Sequence, residues 1–453
     1  MKTKFSLYTA IALVVANMVG TGVFTSLGFQ VVSLSSGAAL LLLWMIGGLI
    51  AFLGALAYSE AGVMMPRCGG EYHFLTMMYH PLPGFLAGWI SLLVGFAAPV
   101  AAAAIACGSY LSSSLGWPKD LGLGLKFLQA PSLLAIAVII FFTIIHSTNK
   151  LLGARFQNVI TSVKVLIIFV LITIGLSYGR SSPISFALDK NALHDMLSPA
   201  FAISMFFVTF AYSGWNAAAY VADEIKNPLK NIPLSLITGT SVVAVMYILL
   251  NFVFLYTVPT PELSGKIEVG FIYASRVFGM EGGKIMGTLI SVLLLSTISS
   301  MIIAGPRISK VMGEDYHLFR FLAIKNGQDI PYVAIITQGV ISVVYILTST
   351  FEQVIIFIGF TLNLCTFLTV LGVMVLRIKR PEVKRSYKTW GYPVTPILFL
   401  AINLWILVYG LIWRTSESLA GIGITALGAV VYLVHNKIAK TSPPRPSCAS
   451  PAE

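Results

Sequence analysis

The sequence predicts an all-α polytopic membrane protein, and three observations carry that expectation. Of the 453 residues, 57% are hydrophobic and only 10% charged, against about 25% charged in soluble domains. Apolar runs of roughly 20 residues recur between polar loops, the length a helix needs to cross a bilayer. No polar stretch is long enough to bury a core of its own.

Twelve spans are predicted, at about 6–32, 37–64, 83–113, 131–149, 154–178, 198–224, 234–258, 284–311, 331–349, 353–376, 393–413 and 418–437. Pro and Gly separate them, as at Pro66, Pro81, Pro131, Pro228, Pro259, Pro331 and Pro393. Lys2 and Lys4 precede the first run. That run is too long for a signal-peptide core and lacks a clear small-residue cleavage site, so it is taken as span 1. Residues 1–32 hold span 1, broken near 19–23, and 33–180 complete a first repeat with spans 2–5. Residues 198–376 form a second repeat, spans 6–10, with span 6 broken near 210–215. Residues 377–437 are a basic loop with two extra C-terminal helices, and 438–453 a Pro- and Ser-rich cytoplasmic tail of disordered composition. Gly69–His80 reads as an amphipathic helix along the inner surface. Val269–Phe278 reads as a helix over an outer vestibule.

The net charge of +12 follows topology. With an even number of spans, most Lys and Arg fall in alternate loops, from Lys2 through Arg67, Arg155, Lys226, Arg307 and the Arg377–Lys388 cluster to Lys437. The positive-inside rule then places both termini in the cytoplasm of a cell bounded by this membrane. Nucleic acid is not an expected partner, since no basic module with aromatic stacking positions is present. The four cysteines, Cys68, Cys107, Cys365 and Cys448, show neither disulfide nor zinc spacing, and none falls in a predicted external loop. His73 and His80 have no ligand partner at metal spacing. No nucleophile–base pair or metal cluster points to an enzyme, and no cofactor is expected.

The informative stretch is Ala16–Gly28, Ala-Asn-Met-Val-Gly-Thr-Gly-Val-Phe-Thr-Ser-Leu-Gly. Gly20 and Gly22 sit in mid-span. One reading is close helix packing. The other is an opened helix, tolerated at that depth only where it is buried in protein or lines a cavity. Span 6 departs from a plain helix in the same way, at Tyr212-Ser-Gly-Trp-Asn216. Two Gly-interrupted spans, five apart and therefore of opposite direction, point to a transporter site between inverted repeats. A broken helix offers free amides to an anion and free carbonyls to a cation. With no charged side chain in either break, a zwitterionic α-amino acid fits both ends.

Gly20-Thr-Gly-Val-Phe24 resembles the Gly-Ser-Gly-Ile-Phe motif of the amino acid–polyamine–organocation (APC) superfamily. Phe210–Asn216, with Glu224-Ile-Lys-Asn-Pro228 after it, is similar to the L-type (LAT-like) branch of that superfamily. The resemblance runs through spans 1–10 and on into spans 11 and 12. It implies the five-plus-five inverted repeat of the leucine-transporter fold and alternating-access transport of amino acids, often by exchange. It further implies that Thr21, Gly22 and Val23 offer amides to the substrate carboxylate. Carbonyls near Val19, Phe210, Ala211 and Ser213 would take the ammonium, with Gly20 between. Phe210 corresponds to the gate, and Trp215 and Asn216 to the pocket side of the second half-helix.

Lys164 lies well inside span 5, about ten residues or 15 Å from its inner end. An ionisable residue at that depth is a functional candidate, although a shorter reach would permit snorkelling. In the L-type branch a lysine here takes the place of a sodium ion. Its partners would be carbonyls near Ala16 and Val19 and the hydroxyl of Thr297. That implies sodium independence, while an amine so placed is also able to exchange a proton. Glu60 and Glu224 are candidates for an inner gate with Arg67, Lys226 or Arg307, or are solvated loop charges. Asn363 either lines the pocket or bonds across helices. The expectation is a sodium-independent exchanger or facilitator of neutral L-amino acids in the cytoplasmic membrane, without an obligate disulfide-linked partner. The alternative is a proton-coupled amino acid or polyamine symporter.

Overall fold

The structure, a computed structural model, describes residues 4–65, 69–118, 129–148, 154–179, 182–383 and 385–440. Arg67, Cys68, Cys448 and the tail beyond residue 440 lie outside these. Among the described residues the fold is all-helical, with a single β-bridge between Phe5 and Ile225. Nine helices there are long and apolar enough to cross a membrane: Leu7–Gln30, Gly37–Met64, Pro81–Leu115, Ala130–Thr148, Pro228–Thr257, Val269–Asp315, Phe351–Lys379, Val394–Trp413 and Thr415–Lys437. Spans 5, 6 and 9 correspond to the shorter apolar stretches Ser162–Tyr178, Pro199–Tyr212 and Tyr332–Thr348. The second of these is bent by 71° from the preceding helix, Lys190–Leu197.

Burial sorts the spans. Spans 1, 2, 3, 8 and 10 are mostly enclosed, whereas spans 4, 11 and 12 turn much of their surface outward. That surface is apolar, as Ile140, Phe141, Ile144, Ile412 and Leu433 show, and matches lipid rather than water. Span 3 packs along span 8 through the buried run Ala97–Ala104, whose small side chains let two backbones approach closely. It also carries a π-turn at Ser91–Gly95. Pro99, having no N–H, cannot donate to the carbonyl four residues back, and the wider turn ends there.

Several boundaries differ from the expectation. Span 7 begins at Pro228, where proline suits the first helical position, and Pro233 is absorbed in its opening turns. The helix expected at Val269–Phe278 is present but runs into span 8, with one kink at Gly279 (φ 76°). The lower half of span 6 is much shorter than expected, one turn at Ala217–Tyr220 followed by a 3-10 turn at Ala222–Glu224. Gly69–His80 is not a surface helix. Its helical part, Glu71–Met78, is wedged against spans 3 and 10, with Glu71, Phe74, Leu75 and Met78 buried.

Both ends of the described chain lie at one end of the bundle, the lower end. Phe5 N–H donates to the Glu224 carbonyl at 2.7 Å. The Tyr220 ring covers Gly70, Tyr72 bonds Asp315, and the rings of Tyr316 and His435 are 5.3 Å apart.

Glu60, on span 2, is fully buried near this end. The expected partners were Arg67, Lys226 or Arg307. Among the described residues its ion pairs are instead with Arg377 (2.5 Å) and Arg385 (3.4 Å), and it also accepts from Thr389 N–H (2.8 Å) and Oγ1 (2.7 Å). The basic loop is thereby strapped to span 2. Removing one member of a buried ion pair costs about 3–5 kcal/mol. Glu60→Ala is therefore expected to lower the melting temperature sharply in detergent, where a solvated loop charge would leave it unchanged.

Candidate functional site

Two helix breaks face each other at mid-bundle. Span 1 is helical over Leu7–Met18 and again over Gly22–Gln30, with Val19 (ψ 85°) ending the first part. The Met18 carbonyl at the break accepts from the Gly20 N–H at 2.8 Å and from the Tyr247 hydroxyl at 2.6 Å. The first amides of the upper half, at Gly22 and Val23, have no acceptor within their own helix, while Phe24 N–H donates to the Thr21 carbonyl at 3.1 Å. Span 6 is helical to Tyr212, and Ser213 (ψ 148°) and Gly214 (φ 96°) then redirect the chain. A Cβ at Gly214 would sit 2.7 Å from the Asn17 carbonyl oxygen, and the positive φ favours glycine as well.

The breaks enclose a cavity of about 20 Å³, walled by Asn17, Met18, Gly20, Thr21, Gly22, Pro99, Phe210, Ala211, Ser213, Thr297 and Met301. Of the sequence candidates, Gly20, Thr21, Gly22, Phe210, Ala211, Ser213 and Thr297 are in this wall. Val19, Val23, Trp215, Asn216 and Ala16 are not. Trp215 packs below it, edge-on to Tyr58 at 4.7 Å. Asn17, Met18, Pro99 and Met301 were not singled out, although an Asn and a Pro inside apolar spans are visible signals. The tightest approach in the wall is Gly22 against Ala211, where an added Cβ would lie 2.4 Å from the Ala211 Cα. Close packing and an opened helix, alternatives in the sequence, are both present at Gly22.

Lys164 is 2% exposed, so its amine does not reach the membrane surface. Nζ donates to Thr297 Oγ1 at 2.6 Å and to the Val19 carbonyl at 3.3 Å. It thus joins span 5 to the break in span 1 and to span 8. No bond to Ala16 is formed. Asn363 bonds Thr209 of span 6 at 3.3 Å and is not in the cavity wall.

Above the cavity three aromatic rings form a stack. Phe29 of span 1 lies 5.4 Å from Phe207 of span 6, nearly parallel, and 5.5 Å from Phe351 of span 10. Beyond the stack opens a second cavity of about 390 Å³, whose wall includes Phe29, Phe207, Asp195, Glu352 and Arg414. Among the described residues no His, Cys, Asp and Glu group is placed to hold a metal.

A sequence profile of amino acid permeases matches residues 5–431. The chain belongs to the amino acid permease family. This permease is 27% identical to the b(0,+)-type amino acid transporter 1 of Mus musculus over 90% of its own length and 82% of the relative's. It is 27% identical to the serine/threonine exchanger SteT of Bacillus subtilis, over 95% and 96% of the two chains. It is 26% identical to the large neutral amino acids transporter small subunit 2 of Mus musculus, over 96% and 81%. The permease is accordingly a multi-pass membrane transport protein of the superfamily its glycine motifs resemble.

Proposed function

We propose that this permease is a secondary transporter that moves neutral L-amino acids across the cytoplasmic membrane by alternating access, as a sodium-independent exchanger or facilitator. The observation that carries the reading is the pair of facing breaks around one small cavity, with the Lys164 amine bonded between Val19 and Thr297. Amides at Thr21, Gly22 and Val23 take the substrate carboxylate, and carbonyls at Val19, Phe210, Ala211 and Ser213 take the ammonium. Phe210 is the gate beside the substrate. Trp215 and Asn216 support the lower side of the break.

The cavity wall carries no acidic or basic side chain. That supports a substrate with a neutral side chain and argues against a polyamine, which would need carboxylates. Pro99, Met301 and Phe210 crowd the wall and favour a small one. Sodium independence rests on Lys164, whose amine occupies a place where a cation would be held. The twelve apolar runs give an even number of spans, and the loop charges then support both termini in the cytoplasm. The small-subunit relative is named as part of an assembly. Here Cys107 and Cys365 are free and buried in spans, which supports action without a disulfide-linked partner.

The test is counterflow in proteoliposomes. Vesicles loaded with one neutral amino acid are expected to take up labelled small neutral amino acids from a panel of all twenty. Rates are expected to be equal in sodium and in choline. Strict dependence on sodium would overturn the reading.

A further inference from the structure

We propose that Glu71 is a proton-binding site whose protonation releases the lower half of span 6, and with it the lower closure of the substrate cavity. The proposal rests on the transporter reading above. Glu71 opens the short helix Glu71–Met78 and is 5% exposed. Its Oε1 accepts from the Tyr58 hydroxyl of span 2 at 2.5 Å and, weakly, from Asn216 Nδ2 at 3.5 Å. Tyr220 faces the same carboxyl. Asn216 and Tyr220 bracket the single turn Ala217–Tyr220, the continuation of span 6 just past the break at Ser213. The carboxyl therefore ties that turn to span 2 and to the loop helix. Gly70 makes the fit possible, because a Cβ there would lie 2.2 Å from the Tyr220 ring and its φ is 52°.

The titratable groups that face Glu71 are Tyr58 from span 2, Tyr220 from span 6 and Cys365 from span 10. Span 3 meets the same loop helix through Gly84 and Gly88, against Tyr72 and Thr76. Tyr72 is itself bonded to Asp315. The groups that hold the carboxyl are two phenols and an amide, with no described cation among them. Burial pushes it up to about 7, and the Tyr58 and Tyr220 bonds pull the other way. A charged carboxylate only accepts, and here Oε1 takes the Tyr58 and Asn216 donors. Taking one proton from the water at the lower end makes it neutral and gives it an O–H to donate. A neutral carboxyl is a weaker acceptor, and a proton on Oε1 makes that oxygen a donor, so the Tyr58 and Asn216 bonds weaken or turn. The charged form holds the turn in place, and the neutral form frees it.

The permease reconstituted in proteoliposomes is assayed for counterflow of its best neutral amino acid between pH 5.5 and 8.5. The wild type is expected to change rate at least threefold, with a midpoint near neutrality. Glu71→Gln is expected to be flat, at the wild-type acid-limb rate. Tyr220→Phe removes a donor that favours the charged form and is expected to raise the midpoint. A wild-type profile in Glu71→Gln overturns the proposal. If that variant does not fold, an unmoved midpoint in Tyr220→Phe does so. A melting curve supplies a readout independent of transport. A carboxyl at 4.5 unfolded and about 7 folded binds more protons in the native state. Stability then falls as pH rises through that window and levels off above it. Glu71→Gln should remove this component. A wild-type melting profile in that variant refutes proton binding at Glu71, whereas absence of counterflow at every pH refutes the transporter reading alone.

Discussion

Gly22→Val is expected to abolish amino acid binding and transport, with Gly22→Ala nearly as severe and Gly20→Ala mild. The two glycines are two residues apart in one motif, but their surroundings differ. A Cβ at Gly22 would meet the Ala211 Cα at 2.4 Å and its Cβ at 2.6 Å. These belong to the facing helix, so no flexible side chain can turn aside. At Gly20 the nearest atom beyond its own helix is Thr297 Cγ2 at 3.8 Å, an ordinary contact. Overpacking a tight site costs about 1–3 kcal/mol, and more where backbone must shift. At about 1.4 kcal/mol per factor of ten, Gly22→Ala should reduce transport about 100-fold, and valine further. Counterflow, together with thermal-shift binding on protein that still elutes as one peak, measures this. Normal transport by Gly22→Val would mean that spans 1 and 6 never approach as described. Equal losses in Gly20→Ala and Gly22→Ala would shift the explanation from contact to backbone freedom.

Lys164→Ala is expected to reduce transport at least tenfold, in sodium and without it. The amine has two neutral partners, Thr297 Oγ1 and the Val19 carbonyl. Hydrogen bonds from a charged donor contribute about 1.5–3 kcal/mol each. Losing both frees the end of the lower half of span 1 and separates span 5 from span 8. Lys164→Met keeps most of the side-chain volume and separates packing from charge. If it transports normally, the residue only fills space. Thr297→Val should be milder, because Val19 remains as a partner. Wild-type rates in Lys164→Ala would remove the basis for sodium independence.

Much of this site was legible because its signals are local. Gly20 with Gly22, and Ser213 with Gly214, stand out since a membrane helix gains nothing from glycine in mid-span. Lys164 stands out because an amine in hydrocarbon needs a reason. The cavity wall then added Asn17, Met18, Pro99 and Met301, and left out Ala16, Val19, Val23, Trp215 and Asn216. Facing direction around a broken turn depends on φ and ψ at one or two residues, which composition does not specify. The short lower half of span 6 has the same origin.

Long-range pairing was not legible. Glu60 and Arg377 are 317 residues apart, and many basic loops were available as partners. Glu71 was hidden by its own neighbourhood, since Gly69–His80 has the alternating character of a surface helix. Only the packing of spans 2, 6 and 10 around it turns that first-turn acid into a buried one.

The small void between the two breaks also constrains affinity. About 20 Å³ is room for a water molecule or so, and an amino acid is several times larger. On the proposed reading an amino acid fits between the breaks only after the wall has widened, and an apparent dissociation constant would include the work of widening it. If the parted form is a small fraction of the population, apparent affinity is weaker than the contacts imply by that same fraction. A substitution that loosened the Gly22–Ala211 contact while leaving the Gly22 amide and the Ala211 carbonyl in place would register as tighter binding.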